Sequence, residues 1–361
     1  MQFKKLLLTT SLVLSTAIFA ACQSGSKAPE GSQSSNVTAD NQSTVENVVN
    51  TVMITDQGGV NDKSFNQSAY EGLTKLKDEG KIKFNFIESH SEADYAPNID
   101  TALNEDPDIV YTIGYALYDD TDKAAKANPD VNFAIVDNAN LDNTKNLLGI
   151  TFADNENSFL VGYIAGMTTK TNNVGFVGGM KSDVIDRFEF GFRAGVKQAA
   201  REKKEDIEVQ VQYADSYADA EKGKSIANQM YQKGADIVFH AAGGTGEGVI
   251  SSAIENDKYV IGVDRDQSEE APDNMLVSTV KGVNIAVAQV AKDLADGKFE
   301  GGKTVSFGLK DGDACTIAYA KNDLVSDEIK ENVEKIRSEI IDGTIEVPQN
   351  EDEFTSMGYD K

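Results

Sequence analysis

The amino-acid sequence predicts an α/β protein made of two doubly wound parallel-sheet lobes. Short β-rich apolar runs alternate with longer amphipathic segments, and the alternation occurs in two successive series. Several of the runs, DIVYTIG and ADIVFHAAGG among them, are apolar almost without interruption. Alternation of this kind builds parallel sheets with helices on both faces. Strands buried on both faces read as continuous apolar runs, not as alternating ones.

The first series opens with strand candidates at 52–55 and 84–87, separated by an amphipathic helical pattern over 64–77. Helical patterns at 95–103 and 118–127 then flank strands at 109–113 and 133–136. In the second series the strands read 174–177, 209–213, 237–240, 260–263 and 276–279, with helices near 186–203, 218–233 and 246–256. A further helix at 283–295 and an apolar strand at 305–309 follow. Lobe boundaries are expected at 49–153 with 280–309 for the first lobe, and 154–279 with 310–361 for the second. Hinge segments are expected at 150–154, 279–282 and 308–311.

The chain begins with Lys4 and Lys5, an apolar run from Leu6 to Ala21, and then Cys22. The run is short for a membrane span, carries positive charge in front and closes on small residues, the pattern of a cleavable export signal. Phe19-Ala20-Ala21-Cys22 resembles a bacterial lipobox, with Phe19 where Leu is usual. This implies a signal peptide over 1–21 and a lipid on Cys22. Residues 23–48 are rich in Ser, Gln, Asn, Thr and Gly, too polar to offset their ordering entropy, and read as a tether over 22–48. The body is therefore expected on the extracytoplasmic face of the cell membrane, held by its lipid alone.

The 361 residues carry a net charge of −25, and loss of Lys4 and Lys5 makes it more negative still. Such a charge excludes nucleic acid and anionic lipid surfaces as partners. Cys22 and Cys315 are the two cysteines, so with Cys22 lipidated no intrachain disulfide is available. His90 and His240 lie far apart and belong to no metal-ligand spacing. No metal or cofactor is called for, and the protein is expected to be monomeric.

In open parallel sheets ligands bind beyond the carboxyl ends of the strands. The loops there read Asp56-Gln57-Gly58-Gly59-Val60-Asn61-Asp62-Lys63-Ser64-Phe65, Gly114-Tyr115 and Asp137-Asn138 in the first series. In the second they read Asp215-Ser216-Tyr217, Gly243-Gly244-Thr245-Gly246 and Asp264-Arg265-Asp266, with Lys281 after the last strand. Each has a structural alternative. Asp after a strand caps helices and forms turns, glycines allow tight turns, Phe65 could be core, and Tyr217 could be a turn residue. The recurrence of carboxylates, aromatics and glycines at one topological place in both series points to a ligand site.

The motifs TDQGGVNDKSFNQSAYEGL, SEADYAPN, ITFADNENSFLVGYIAG, NNVGFVGGM, RFEFGFRAG, AAGGTGEGV, VIGVDRDQ and LVSTVKG together resemble the basic membrane protein family of solute-binding lipoproteins, nearest its purine nucleoside receptors. The resemblance runs from about residue 50 to the C-terminus. It implies a type I periplasmic-binding-protein fold, with two lobes joined by three hinge crossovers, that closes on a ligand and delivers it to an ABC permease. It also implies that Phe65 and Tyr217 sandwich a base, Tyr217 standing where Phe is common. Asp264 and Lys281 match ribose-binding positions, and Asp56 and Asp137 match positions near the base. Gly244 and Gly246 are expected to offer backbone groups and close approach. No catalytic residue is implied.

Four acidic side chains with one lysine suit a neutral nucleoside better than a phosphate, which wants Arg, Lys or helix N-termini. The stretch Gly297 to Thr304 fits the P-loop pattern GxxxxGK[ST], but it follows a helix and precedes a strand, the reverse of the phosphate-cradling order. The glycines at 243–248 do not complete a dinucleotide fingerprint. Two other functions compete: a nucleoside hydrolase, for which Asp56, Asn61 and Asp62 would hold calcium, and a surface sensor or adhesin using the same cleft.

Overall fold

The computed structural model describes residues 48–361. The expected export segment, Cys22 and the tether up to residue 47 lie outside the described residues.

Two six-stranded sheets form the framework. The first is ordered β11-β5-β4-β3-β1-β2 and wholly parallel, from β1 (Val49–Thr55), β2 (Ile82–Ile87), β3 (Ile109–Ile113), β4 (Asn132–Val136), β5 (Leu147–Phe152) and β11 (Lys303–Phe307). The second is ordered β12-β10-β9-β8-β6-β7, from β6 (Asn173–Gly178), β7 (Glu208–Tyr213), β8 (Ile237–Ala241), β9 (Tyr259–Gly262), β10 (Met275–Lys281) and β12 (Cys315–Tyr319). Within it, only the edge strand β12 runs antiparallel to its neighbour. The chain passes between the sheets three times: after β5, after β10 and after β11. The expected α/β class with two parallel-sheet lobes is what forms.

Successive residues of a strand enter different cores, as the pleat requires. Met53 belongs to one apolar cluster of the first sheet, and its neighbours Val52 and Ile54 to the other. In the second sheet Phe176 and Val177 divide in the same way. Burial on both faces explains why these strands read as unbroken apolar runs.

The helices read from amphipathic patterns are present with small shifts: α1 (Phe65–Asp78), α2 (Tyr95–Leu103), α3 (Tyr118–Ala127), α5 (Asp183–Lys203), α6 (Ala220–Gln232), α7 (Gly246–Glu255) and α8 (Val283–Ala295). α5 starts earlier than its apolar pattern because the Ser182 hydroxyl caps it, accepting from the Ile185 amide at 3.3 Å. α8 packs on α1 and β1, so it belongs to the first lobe although it follows a second-sheet strand. The P-loop-like stretch lies between α8 and β11, confirming its helix-to-strand context.

Several elements carry no clear sequence signal. α4 (Asp154–Thr168) is buried on nearly every side, so it lacks the polar stripe that marks an amphipathic helix. Gly149 interrupts β5, and β12, α9 (Asp327–Ile341) and α10 (Glu351–Ser356) complete the C-terminal part.

α4 and α5 are the most closely packed helix pair. Glycines on both permit backbone-to-backbone contact: a Cβ at Gly162 would lie 2.1 Å from the Phe192 carbonyl oxygen, and one at Gly195 would lie 2.0 Å from that of Phe159. This contact sets where Asp154, at the start of α4, and Arg187 and Phe188, on α5, stand relative to the interlobe cleft. Gly195→Ala must push the helices apart, and a loss of about 3 kcal/mol in urea unfolding is expected. A loss under about 1 kcal/mol would show that the interface yields easily.

Candidate ligand cleft

The cleft is built at the carboxyl ends of both sheets, where loop residues of the two lobes meet around one cavity. Asp56 follows β1, Gly114 and Tyr115 follow β3, Asp137 follows β4, and Phe65 opens α1. From the other lobe come Tyr217 after β7, Ala242 and Gly243 after β8, Asp264 after β9, and Val184, Ile185 and Phe188 of α5. Lys281 ends β10. Of the residues expected from sequence, Asp56, Phe65, Asp137, Tyr217, Asp264 and Lys281 are brought to this one cavity.

Gly244 and Gly246 are not among its lining residues. The backbone approaches the cavity one position earlier, at Gly243, which turns with φ +53. Gly246 instead lies against a core histidine, since a Cβ there would fall 2.1 Å from His240 Nδ1. Gly244 lies at the cleft mouth, near the Tyr217 carbonyl and Asp62.

The entry to α1 explains how Phe65 is presented. Asp62 caps this helix: Oδ2 accepts from the Asn66 amide at 2.9 Å, and Oδ1 accepts from the Gln67 amide at 3.0 Å and the Ser64 amide at 2.9 Å. The Asn66 side-chain amide then bridges Asp62 Oδ2 at 3.0 Å and Asp56 Oδ1 at 2.7 Å, while Asp56 Oδ1 also accepts from the Gly58 amide at 2.8 Å. On the opposite wall, Tyr217 leans on Gly179, where a Cβ would lie 2.1 Å from the ring. Any larger residue at 179 would displace the ring.

Lys281 is the central cation. It is 1 % exposed, and its ammonium lies 2.7 Å from Asp137 Oδ1 and 3.2 Å from Asp154 Oδ2. Phe65, Phe152 and Phe188 surround it with ring centroids at 5.3, 5.2 and 5.3 Å. Arg187 supports the pair from behind, with Nη2 3.5 Å from Asp154 Oδ2. Burial alone would lower the Lys281 pKa, but Asp137, Asp154 and Asp264 together hold it above the usual lysine value.

Asp137 and Asp264 both adopt left-handed backbone conformations, φ +71 and +66. A non-glycine residue there is strained, and such strain concentrates at functional sites. Asp264 accepts a hydrogen bond from the Ser64 hydroxyl of the opposite lobe. Burial pushes Asp264 up to about 7, against the pull of Lys281 and Ser64, and burial raises Asp56 likewise to about 7. Asp154 is raised to about 6, again by burial, with Lys281 and Arg187 opposing.

Further contacts close the mouth. Lys63 reaches Glu270 at 3.1 Å and Glu247 at 3.3 Å, its carbonyl accepts from Gln267 Nε2 at 3.2 Å, and Arg265 lies 3.6 Å from Glu71. Loop 264–270 thus grips the start of α1 across the cleft. Sequence reasoning gave Asp62 only the calcium role of the competing hydrolase reading, not a helix cap, and assigned no role to Ser64, Asn66, Asp154, Arg187 or Phe188. All lie inside motifs quoted above, but nothing in their spacing reports a partner far away in the chain.

Two parallel-sheet lobes, three crossovers and a polar-aromatic cleft at the strand ends are an architecture shared with solute-binding proteins of ABC transporters. The solute-binding protein of an ABC transporter system from Aeropyrum pernix K1 superposes with a TM-score of 0.79 at 25% identity, covering 86% of this chain and 96% of that one. Residues 49–351 match the Bmp family, ABC transporter substrate-binding protein PnrA-like, and the chain belongs to that family. A Listeria monocytogenes protein named CD4+ T-cell-stimulating antigen is 45% identical over 318 residues, covering 82% of this chain and 87% of that protein. The Lactococcus lactis protein named ABC transporter nucleoside-binding protein BmpA is 44% identical over 317 residues, covering 82% of this chain and 88% of that protein.

A carboxyl group whose pKa is raised by folding stabilises the fold below its unfolded value, and that contribution disappears as pH rises through the folded value. For ligand-free protein, the contributions of Asp56 and Asp264 are present near pH 4 and gone above about 7. Asp264→Asn should reduce the loss of stability between pH 4.5 and 8 by on the order of 3 kcal/mol. Urea unfolding of both proteins at the two pH values tests this, since titrating groups remote from Asp264 cancel in the comparison. Equal pH slopes would show that Asp264 ionises freely.

Proposed function

We propose that this protein is a lipid-anchored extracytoplasmic receptor that captures a neutral nucleoside between its lobes and delivers it to an ABC permease. The observation that carries this is the presence of one aromatic ring from each lobe, Phe65 and Tyr217, on a single cleft whose polar lining is mainly carboxylate. A planar base inserted between two rings gains roughly 1 to 3 kcal/mol per stacking contact. With one ring on each lobe, that energy is available in full only when the cleft is closed.

The polar groups suit the rest of a nucleoside. Asp264 and Lys281 bind the ribose hydroxyls, and Asp56, with Asn66 beside it, accepts from donors on the base edge. Asp137, already within 2.7 Å of Lys281, serves the base through its position beside that ammonium. Carboxylates accepting from neutral donors contribute about 1.5 to 3 kcal/mol each. A few such bonds with one stacked base reach the −8 kcal/mol of a micromolar binder. A phosphate would face Asp56, Asp62, Asp137 and Asp264, so nucleotides are rejected. Purine preference rests on similarity to the nucleoside receptors of the family. Cys22 supplies the lipid, and the protein works as a monomer.

A nucleoside hydrolase would need carboxylates free to hold a metal and activate water. Asp62, which with Asp56 and Asn61 suggested it, has both oxygens committed to amides at the start of α1, and Asp56 Oδ1 already accepts from Gly58 and Asn66.

Calorimetry with inosine and adenosine tests the proposal. The wild-type protein should bind at least one of them, the corresponding monophosphate should bind far more weakly, and Phe65→Ala with Tyr217→Ala should lower affinity at least about 100-fold. Undiminished affinity in the double variant would overturn the base sandwich.

A further inference from the structure

Ser64 occupies the N-cap position of α1 yet makes no capping bond with its side chain. Asp62 does that work, accepting the Asn66 and Gln67 amides, so the helix has no need of a hydroxyl at 64. The Ser64 side chain is nevertheless wholly buried. It points across the cleft, where Oγ–H donates to Asp264 Oδ2. Asp264 is 6 % exposed, holds a left-handed backbone and lines the cavity, with Lys281, Asp62 and Asp137 as its charged neighbours.

A carboxylate fixed through one oxygen cannot swing freely about its terminal torsion. Here the fixing group belongs to the opposite lobe, so the carboxylate is oriented only when the lobes meet. From this geometry we propose that Ser64 is a positioning residue which, on closure, locks Asp264 with Oδ1 toward the ligand and thereby sets selectivity for vicinal sugar hydroxyls. The inference deepens the proposed function and rests on it. Its physical content is preorganisation: a hydroxyl pair meeting an already oriented acceptor spends no binding energy on ordering it.

The test is a double-mutant cycle with Ser64→Ala, Asp264→Ala and the pair, titrated calorimetrically with inosine and with 2′,3′-dideoxyinosine, which keeps the base and sugar ring but lacks both hydroxyls. Ser64→Ala should weaken inosine about tenfold or more and change the dideoxy analogue less than about twofold. In the Asp264→Ala background, Ser64→Ala should cost inosine nothing further, because positioning has no object once the carboxylate is gone. Ligand-free Ser64→Ala should still melt cooperatively, since Asp62 retains the cap, with a loss no larger than one buried hydrogen bond supplies. Equal losses for both ligands, or additive losses in the cycle, would overturn the inference while leaving nucleoside binding in place. Failure of the wild-type protein to bind inosine would overturn the ligand proposal and this inference with it.

Discussion

The ammonium of Lys281 is the interaction on which the cleft depends. A charge this deeply buried is tolerated only if countercharges and favourable surroundings replace water. Asp137 supplies one countercharge from the end of β4 in the first sheet, and Asp154 supplies another from the first turn of α4. Three aromatic rings fill the rest of its surroundings, Phe65 and Phe152 from the first lobe and Phe188 from α5. Two of the three interlobe crossings, after β5 and after β10, pass directly beside this ion pair. The same contact therefore ties two of the crossover segments to the wall of the cleft. Removing either partner would strand a buried charge, a loss of about 3 to 5 kcal/mol in comparable cases.

Around that cation the cleft carries more carboxylate than it can neutralise. Asp56 and Asp264 have pKa values raised by burial, which means that the empty site holds acceptors short of donors. A neutral ligand rich in hydroxyl and N–H groups relieves this without bringing charge, whereas an anion aggravates it. The arrangement is expensive for the empty protein, and the left-handed backbones of Asp137 and Asp264 add to it. Strained, under-satisfied groups at one place in an otherwise well-packed fold mark where stability has been exchanged for binding.

The start of α1 shows how the division of labour works. Because Asp62 satisfies the helix amides, Ser64 is released from capping and reaches Asp264 of the other lobe, while Phe65 packs in the first-lobe core and also lines the cleft. Loop 264–270 answers with Asp264, Arg265, Gln267 and Glu270. The contacts pair neighbouring residues of one loop with neighbouring residues of the other, so rotation of one lobe makes or breaks them together.

Periodicity and composition sufficed for the strand and helix series and for the two-lobed class, because apolar pattern is a local property that short segments carry by themselves. The strand-end rule placed a wider set of loop residues at one edge, because in parallel sheets every strand delivers its following loop to the same side, and the family resemblance singled out Asp56, Phe65, Asp137, Tyr217, Asp264 and Lys281 from that set. What only the tertiary structure decided is which of these groups are partners. α4 left no periodic trace because it is buried nearly all round, and Asp154, Arg187 and Phe188 reach the cleft through the glycine-mediated contact of α4 with α5. Gly243, not Gly244 or Gly246, faces the cavity because a single left-handed turn rotates the loop. Countercharge, cap and clasp join residues far apart in the chain, such as Ser64 with Asp264 and Asp137 with Lys281. Such pairings follow from where folded elements come to rest in space, which no sequence window contains.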